Sequence, residues 1–385
     1  MTDHVGPLSG LRIVELAGMG PAPFAATLLS DLGAEVIRVD RPPTVPPSSA
    51  DAPLTPMRRG RRSIALDLKH PAGIDTVLRL AERADALIEP WRPGVAERLG
   101  VGPDVCLERN QRLVYGRMTG WGQDGPLADH AGHDINYIAL SGALYQFGRE
   151  GQPPTVPMNL VGDYGGGGML LALGLVCAVF ESRSSGRGQV VDAAMVDGTA
   201  ALMGTVFSQL ASGQLPLERG TGTLDGGAPF YDVYETADGR HLAIGSLEPQ
   251  FFAKLLQITG IRHDDLPPQR DRRGWPLLRQ RLAEVFRDRS LAEWCELLAD
   301  ESELCWAPVL RVDEAPRHPH HQSRGTYVEI GGVLQAAPAP RFSRTPGAIS
   351  RPPASPGEHT ADILADWLDT TPDEMAELRS TGAVV

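Results

Sequence analysis

The chain has 385 residues, of which 42% are hydrophobic and 22% charged, and it carries a formal net charge of −12 at pH 7. This length exceeds one comfortable hydrophobic core and predicts two domains, while the acidic balance argues against a general nucleic-acid binder but not against a local basic pocket for an anionic ligand. Cys106, Cys177, Cys295 and Cys305 are far apart and form no CxxC pair, which argues against a disulfide scaffold and for a reducing, cytoplasmic setting.

The first residues, MTDHVGPLSG, show no basic stretch followed by an apolar core, so no signal peptide is expected. Residues 11–16 (LRIVEL) read as a buried strand, 24–32 as a helix closed by Gly33, and 35–39 as a second strand. Together they make a βαβ unit with parallel pairing. The pattern repeats with strand 63–68, helix 72–84, strand 86–89 and strand 112–119. Residues 1 to about 190 therefore read as an open α/β sheet with flanking helices. The longest apolar run, 169–180, is too short to span a bilayer and reads as a buried helix. Composition shifts near residue 215. Segments 229–235 and 240–245 flank Ala237-Asp238-Gly239, a hairpin signal, and helices follow at 250–259, 275–287 and 291–299. These predict a smaller α+β domain. Residues 315–360, rich in Pro, His, Arg and Ser, are expected to return along the surface. Residues 360–370 predict an amphipathic helix with Ile363, Leu364, Trp367 and Leu368 on one side.

Several motifs invite a chemical reading. Gly18-Met19-Gly20 follows a strand and opens a helix, with Asp40 about 20 residues on, as in a dinucleotide fingerprint. The third glycine is missing, and Pro21 and Pro23 occupy the turn, so a tight turn is the better reading. Arg58, Arg59, Arg61 and Arg62 surround Gly60; guanidinium groups suit phosphate, although a solvated loop would look the same. Arg92, in Trp91-Arg92-Pro93-Gly94, and Arg38 lie at strand ends, where open α/β sheets bind ligands. Asp163 precedes four glycines, Gly165 to Gly168, and reads locally as a helix cap, yet the glycines would let a ligand approach the backbone. His133 sits just before a helix expected to begin at Asp134, where the positive helix end favours a neutral imidazole. Glu248, before Pro249, reads as an N-cap carboxylate. His318, His320 and His321 raise a metal question, but they lie among prolines without an acidic or cysteine partner, so no metal site is expected.

Taken in order, LSGLRIVELAGMGPAPFAATLLSDLGAEVIRVDRP, RSIALDLK, ALIEPWRPGVAERLG, YGRMTGWGQDGP, AGHDINYIALSG, NLVGDYGGGGM, SGRGQVVDAAMVDG, DGGAPFYDVYETADGRHLAIGSLEPQFF and APRFSRT resemble the family III CoA-transferase superfamily. AGHDINY and LEPQFF point within it to the branch of α-methylacyl-CoA racemases. The resemblance implies a large Rossmann-like domain of residues 1–192 completed by 326–385, a linker 193–224, a small α+β domain 225–312 and a return linker 313–325. It also implies an interlocked homodimer, with His133 and Asp163 from one chain and Glu248 from the other.

The activity so implied is an isomerase: cofactor-independent racemisation of 2-methylacyl-CoA thioesters by 1,1-proton transfer through an enolate, with CoA as part of the substrate. His133 and Asp163 would be the acid/base pair, Glu248 would support His133, and the Asp134 N–H would stabilise the enolate oxygen. Arg38, Arg58, Arg59, Arg61, Arg62 and Arg92 would meet the CoA phosphates, with Ala65, Leu66 and Leu68 as an apolar floor. Three alternatives stand beside this reading. A CoA-transferase would use Asp163 as the nucleophile of an aspartyl-CoA intermediate and has no need of His133. A non-catalytic CoA-thioester binder is disfavoured by the intact acid/base set, and an NAD oxidoreductase by the glycine pattern. No nucleic-acid or membrane partner is expected.

Overall fold

The computed structural model describes residues 6–42 and 55–384; the N-terminal stretch read above for targeting features begins outside them. Two compact units emerge. The first comprises residues 1–141, 158–202 and 322–385, and the second residues 142–157 and 203–321. The segment 142–157, assigned above to the large domain, packs with the second unit, and residues 193–202, expected in a linker, belong to the first.

The first unit opens with β1 (Arg12–Leu16), α1 (Pro21–Asp31), β2 (Glu35–Asp40), β3 (Arg62–Ala65), α2 (Pro71–Glu82) and β4 (Ala86–Glu89). It continues with α3 (Val95–Arg98), α4 (Pro103–Arg109), β5 (Val114–Thr119) and α5 (Asp134–Leu140). After α6 (Ala143–Gln146), which lies in the second unit, a wide π-type helical turn (Val161–Met169) runs into α7 (Leu170–Ser185), β6 (Gln189–Ala194) and α8 (Met195–Leu202). The six strands pair in parallel in the order β3-β2-β1-β4-β5-β6. The chain thus winds outward from β1 in one direction and resumes from β4 in the other, which leaves a topological switch point between them. In open α/β sheets this crevice, at the carboxyl ends of the strands, is where ligands bind.

Alternation along the strands builds two cores. Val14, Leu16, Ile37, Val39, Ile64 and Leu87 face α2 and the C-terminal tail. Ile13, Val36, Ala86, Ile88 and Val114 face α1 and α7. Both faces are covered, so the strands are nearly continuous apolar runs, as parallel sheets require. The helical stretch Met158–Ser185 is longer than the apolar run suggested, and by length and composition it could cross a membrane. Half of its most apolar window is buried, and Leu171 and Leu175 pack against Gly116 of β5, so it serves here as a core helix.

The second unit contains α9 (Gly204–Ala211), the antiparallel sheet β7 (Tyr231–Glu235), β8 (His241–Gly245) and β9 (Trp306–Pro308), and the helices α10 (Pro249–Thr259), α11 (Trp275–Phe286) and α12 (Leu291–Leu298). Its own core gathers Phe230, Tyr234, Phe252, Trp275, Phe286 and Trp294. The expected hairpin and three helices are all present, to within two residues at each end. Past α13 (Pro319–Arg324), the hairpin β10 (Tyr327–Ile330) and β11 (Val333–Ala336) and the helices α14 (Thr360–Leu368) and α15 (Pro372–Ser380) belong to the first unit. Ile363, Leu364, Trp367 and Leu368 of α14 are buried in the sheet core, as the amphipathic pattern predicted.

Candidate active site

The loops after β1 and β4 meet at the switch point. Trp91 Nε1 donates to the Ala17 carbonyl at 3.2 Å, and a Cβ on Gly18 would fall 2.4 Å from the Pro90 ring. Gly18 is therefore required for close approach of two loops rather than for a pyrophosphate, in line with the tight-turn reading. Gly20, at φ 68°, occupies the left-handed region and lies against the Asp163 carboxylate: a Cβ there would sit 3.5 Å from Oδ2. The first loop and the wide turn thus converge on Asp163.

His133 is placed by a separate anchor. It is the N-cap of α5, its backbone N–H donating to Asn136 Oδ1 at 3.0 Å. The buried Tyr137 ring fixes that helix by stacking edge-on to Trp121, with ring centroids 4.8 Å apart, and by filling the space above Gly120 and Gly132, where any Cβ would overlap it. The imidazole itself is exposed. Between His133 and Asp163 stands buried Asp134, whose Oδ1 accepts the Asp163 backbone N–H at 2.7 Å. As the first residue of α5, Asp134 carries one of the backbone N–H groups that a helix leaves unpaired.

Burial pushes the Asp163 carboxyl above its ordinary range; the Asn159 side chain, donating to Oδ2 at 3.0 Å, pulls it down, the Asp134 charge pushes it up, and His133 pulls it down. Desolvation therefore prevails over the Asn159 hydrogen bond and the His133 charge that oppose it. His133 is close enough for its positive form to favour the Asp163 carboxylate. The Tyr137 hydroxyl is raised by burial and by Asp163, and Arg92 opposes that shift, which puts Arg92 in the same electrostatic neighbourhood.

The arginines divide sharply. Arg61 is 1% exposed, its Nε 2.7 Å from Glu15 Oε2 and its other nitrogens on the Pro23 and Met57 carbonyls and the Thr27 hydroxyl. Arg38 pairs with Glu15 at 2.6 Å and Asp40 at 3.0 Å, both buried, and Arg59 pairs with buried Asp31. Arg62 bridges Glu35 and Asp366. Four of the six expected phosphate ligands therefore spend their charge on the protein's own carboxylates, whereas Arg58 is half-buried and Arg92 exposed. Ala65 and Leu66 are core residues, and Leu68 packs partly buried beside them, so the expected apolar floor is largely closed.

The glycine run also serves packing. A Cβ on Gly166 would lie 2.6 Å from the Thr199 nitrogen, and one on Gly168 2.6 Å from the Pro21 carbonyl oxygen. Gly166 to Gly168 let α1 and α8 cross the wide turn at backbone contact instead of lining a ligand wall. Glu248 is the exposed N-cap of α10 in the second unit, the position read from Pro249, although its side chain makes no cap hydrogen bond. His318, His320 and His321 cluster at α13, with rings 5.9 Å apart, and among the described residues no group of metal-ligating side chains forms.

Fold and site together define an α/β protein of the CAIB/BAIF type: a structure of a CAIB/BAIF family protein from Brucella suis superposes with a TM-score of 0.81 at 25% identity, covering 94% of this chain and 99% of that one. The chain belongs to CoA-transferase family III, whose family model matches residues 8–360. It is 44% identical over 376 residues to alpha-methylacyl-CoA racemase of Mus musculus, covering 97% of this chain and 96% of the relative. It is 42% identical over 363 residues to the Homo sapiens racemase, covering 94% and 93%.

Proposed function

We propose that the protein is an isomerase that racemises 2-methylacyl-CoA thioesters by 1,1-proton transfer. The observation that carries this reading is the carboxyl of Asp163, raised by burial and within the electrostatic reach of His133 at the ligand end of the sheet. The likeness to the mouse and human racemases supports the choice of substrate class.

Inversion at carbon needs one group to remove a proton from one face of a planar intermediate and another to return one to the opposite face. A neutral imidazole at His133 and a protonated carboxyl at Asp163 form such a pair, and the roles exchange for the other enantiomer. Removing the proton places negative charge on the thioester oxygen. The Asp134 N–H at the start of α5 is the proposed donor to it, since a fixed donor stabilises charge that develops only in the transition state. CoA reaches the switch point with its phosphates toward Arg92 and Arg58. The exposed side chains of Met19, beside Gly20, and of Met158 and Leu160, flanking Asn159, offer the acyl group a pliable apolar surface. The reaction so drawn calls on no metal, flavin or pyridoxal group.

A homodimer belongs to the same proposal, with Glu248 of a second copy assisting His133. Support for an association surface comes from the end of the wide turn and from α7, which leave Met169, Leu173 and Phe180 exposed.

The alternative, in which Asp163 attacks a thioester as a nucleophile, has no use for the histidine that stands beside it. Substitution separates the two. His133→Ala should lower racemisation by about 10²–10⁴-fold, the usual worth of a general acid–base group, with CoA binding retained. A CoA transfer between acids that survives His133→Ala undiminished would contradict the assignment.

A further inference from the structure

One buried charge set in the first unit takes no part in the chemistry above. Glu89, the last residue of β4, is fully buried, and its carboxylate is used at both oxygens. Oε1 accepts the Trp91 backbone N–H at 2.7 Å, and Oε2 accepts from Arg117 Nε at 3.1 Å. Arg117 is the register partner of Glu89 on β5 and is itself buried. Its two terminal nitrogens reach Glu97 of α3 at 2.8 and 3.4 Å.

The three residues bracket one loop. Glu89 precedes Pro90-Trp91-Arg92-Pro93-Gly94, and Glu97 follows it by three residues. Gly94, at φ 77°, turns the chain into α3 and so returns Glu97 toward Arg117. Inside the bracket, Trp91 is held at its backbone by Glu89 and at its ring by the Ala17 carbonyl. The next residue is Arg92, exposed at the switch point. Burial pushes the Glu89 carboxyl up to about 7, against the pull of the Trp91 N–H and of Arg117. A carboxyl kept in so unfavourable a place, touching no substrate, is explained by what it holds.

We propose that Glu89, through Arg117 and Glu97, is a positioning residue that fixes the 90–94 loop so that Arg92 presents its guanidinium to the phosphates of a CoA thioester. This rests on the proposed use of the switch point for CoA. Replacing the carboxylate by an amide leaves one acceptor oxygen for two donors, so either the Trp91 N–H or Arg117 Nε loses its partner and faces an NH2 group, and the loop then samples orientations in which Arg92 misses the phosphates. The loss falls on phosphate recognition and not on the pantetheine arm, because preorganisation matters only for the contact it orders.

Calorimetric titration of the intact protein with CoA, and separately with pantetheine, which lacks those phosphates, tests the proposal. Glu89→Gln is expected to weaken CoA binding about tenfold, or ~1.4 kcal/mol, and to leave pantetheine binding within about twofold. Glu97→Gln, at a side chain that is 45% exposed and safe for folding, should act in the same direction. Arg92→Ala should weaken CoA alone, and adding Glu89→Gln to it should cause no further loss, since both remove one contact. Unchanged CoA affinity in Glu89→Gln and Glu97→Gln, equal loss of CoA and pantetheine, or additive losses with Arg92→Ala would each overturn the proposal. A wild-type protein that binds no CoA would overturn the switch-point reading and this proposal together, whereas wild-type binding with indifferent variants overturns this one alone.

Discussion

Arg38, Arg59 and Arg61 illustrate what a guanidinium does when water is taken away. Each is buried against the carboxylates Glu15, Asp40 and Asp31, three charges answering three. Breaking a buried pair from one side strands the other charge, so Arg61→Ala should destabilise the protein by about 3–5 kcal/mol. Arg92→Ala, at an exposed position, should leave stability within about 0.5 kcal/mol. Thermal unfolding of the two variants beside their KM for an acyl-CoA checks this: Arg61→Ala is expected to lower Tm, and Arg92→Ala to raise KM at unchanged Tm. The opposite pattern would return Arg61 to the ligand. The sequence displayed the arginines but not all their partners, because Glu15 meets Arg38 only through the parallel register of β1 and β2, and Asp31 reaches Arg59 from the end of α1. His133 and Asp163 were legible for a different reason: AGHDINY and GDYGGGG stand out as motifs, and a histidine before a helix start is a local signal.

At the scale of the element, the wide turn Val161–Met169 carries Asp163 and is shaped by its glycines. Gly198 of α8 meets it in turn, a Cβ there lying 1.8 Å from the Gly166 carbonyl oxygen. Gly166→Ala should therefore force α8 away from the turn at a cost of about 1–3 kcal/mol, and should lower kcat as well, since Asp163 moves with the backbone. Gly204→Ala, where an added Cβ meets nothing within 4 Å, is the control and should be neutral or slightly stabilising. Loss of stability in both variants, or in neither, would contradict this account of the turn. Strands β1, β2 and β4 and helices α2, α10, α11 and α12 were readable from period and punctuation alone. The wide turn was not, because four consecutive glycines look like a loop until the helices that need their absent side chains are in place. Strand β6 was equally hidden: its outer residues are exposed, so QVVDAA lacks the continuous apolar run of a central strand.

At the scale of the whole molecule, the α/β class followed from the repeating βαβ pattern. The strand order did not, since neighbours such as β1 and β4 are separated by the whole of β2, β3 and α2. The order matters because it creates the switch point, and the switch point gathers Gly20, Asp163 and the Arg92 loop at one end of the sheet. The central claim is that this gathering performs proton transfer at the carbon next to a thioester. The measurement that tests it most directly is incubation with an (R)-2-methylacyl-CoA in D2O, with a free carboxylic acid added as a CoA acceptor and the α-position followed by NMR. The account predicts that deuterium enters the α-carbon and optical purity is lost. Transfer of CoA to the added acid, with the α-proton retained, would contradict it and make Asp163 a nucleophile.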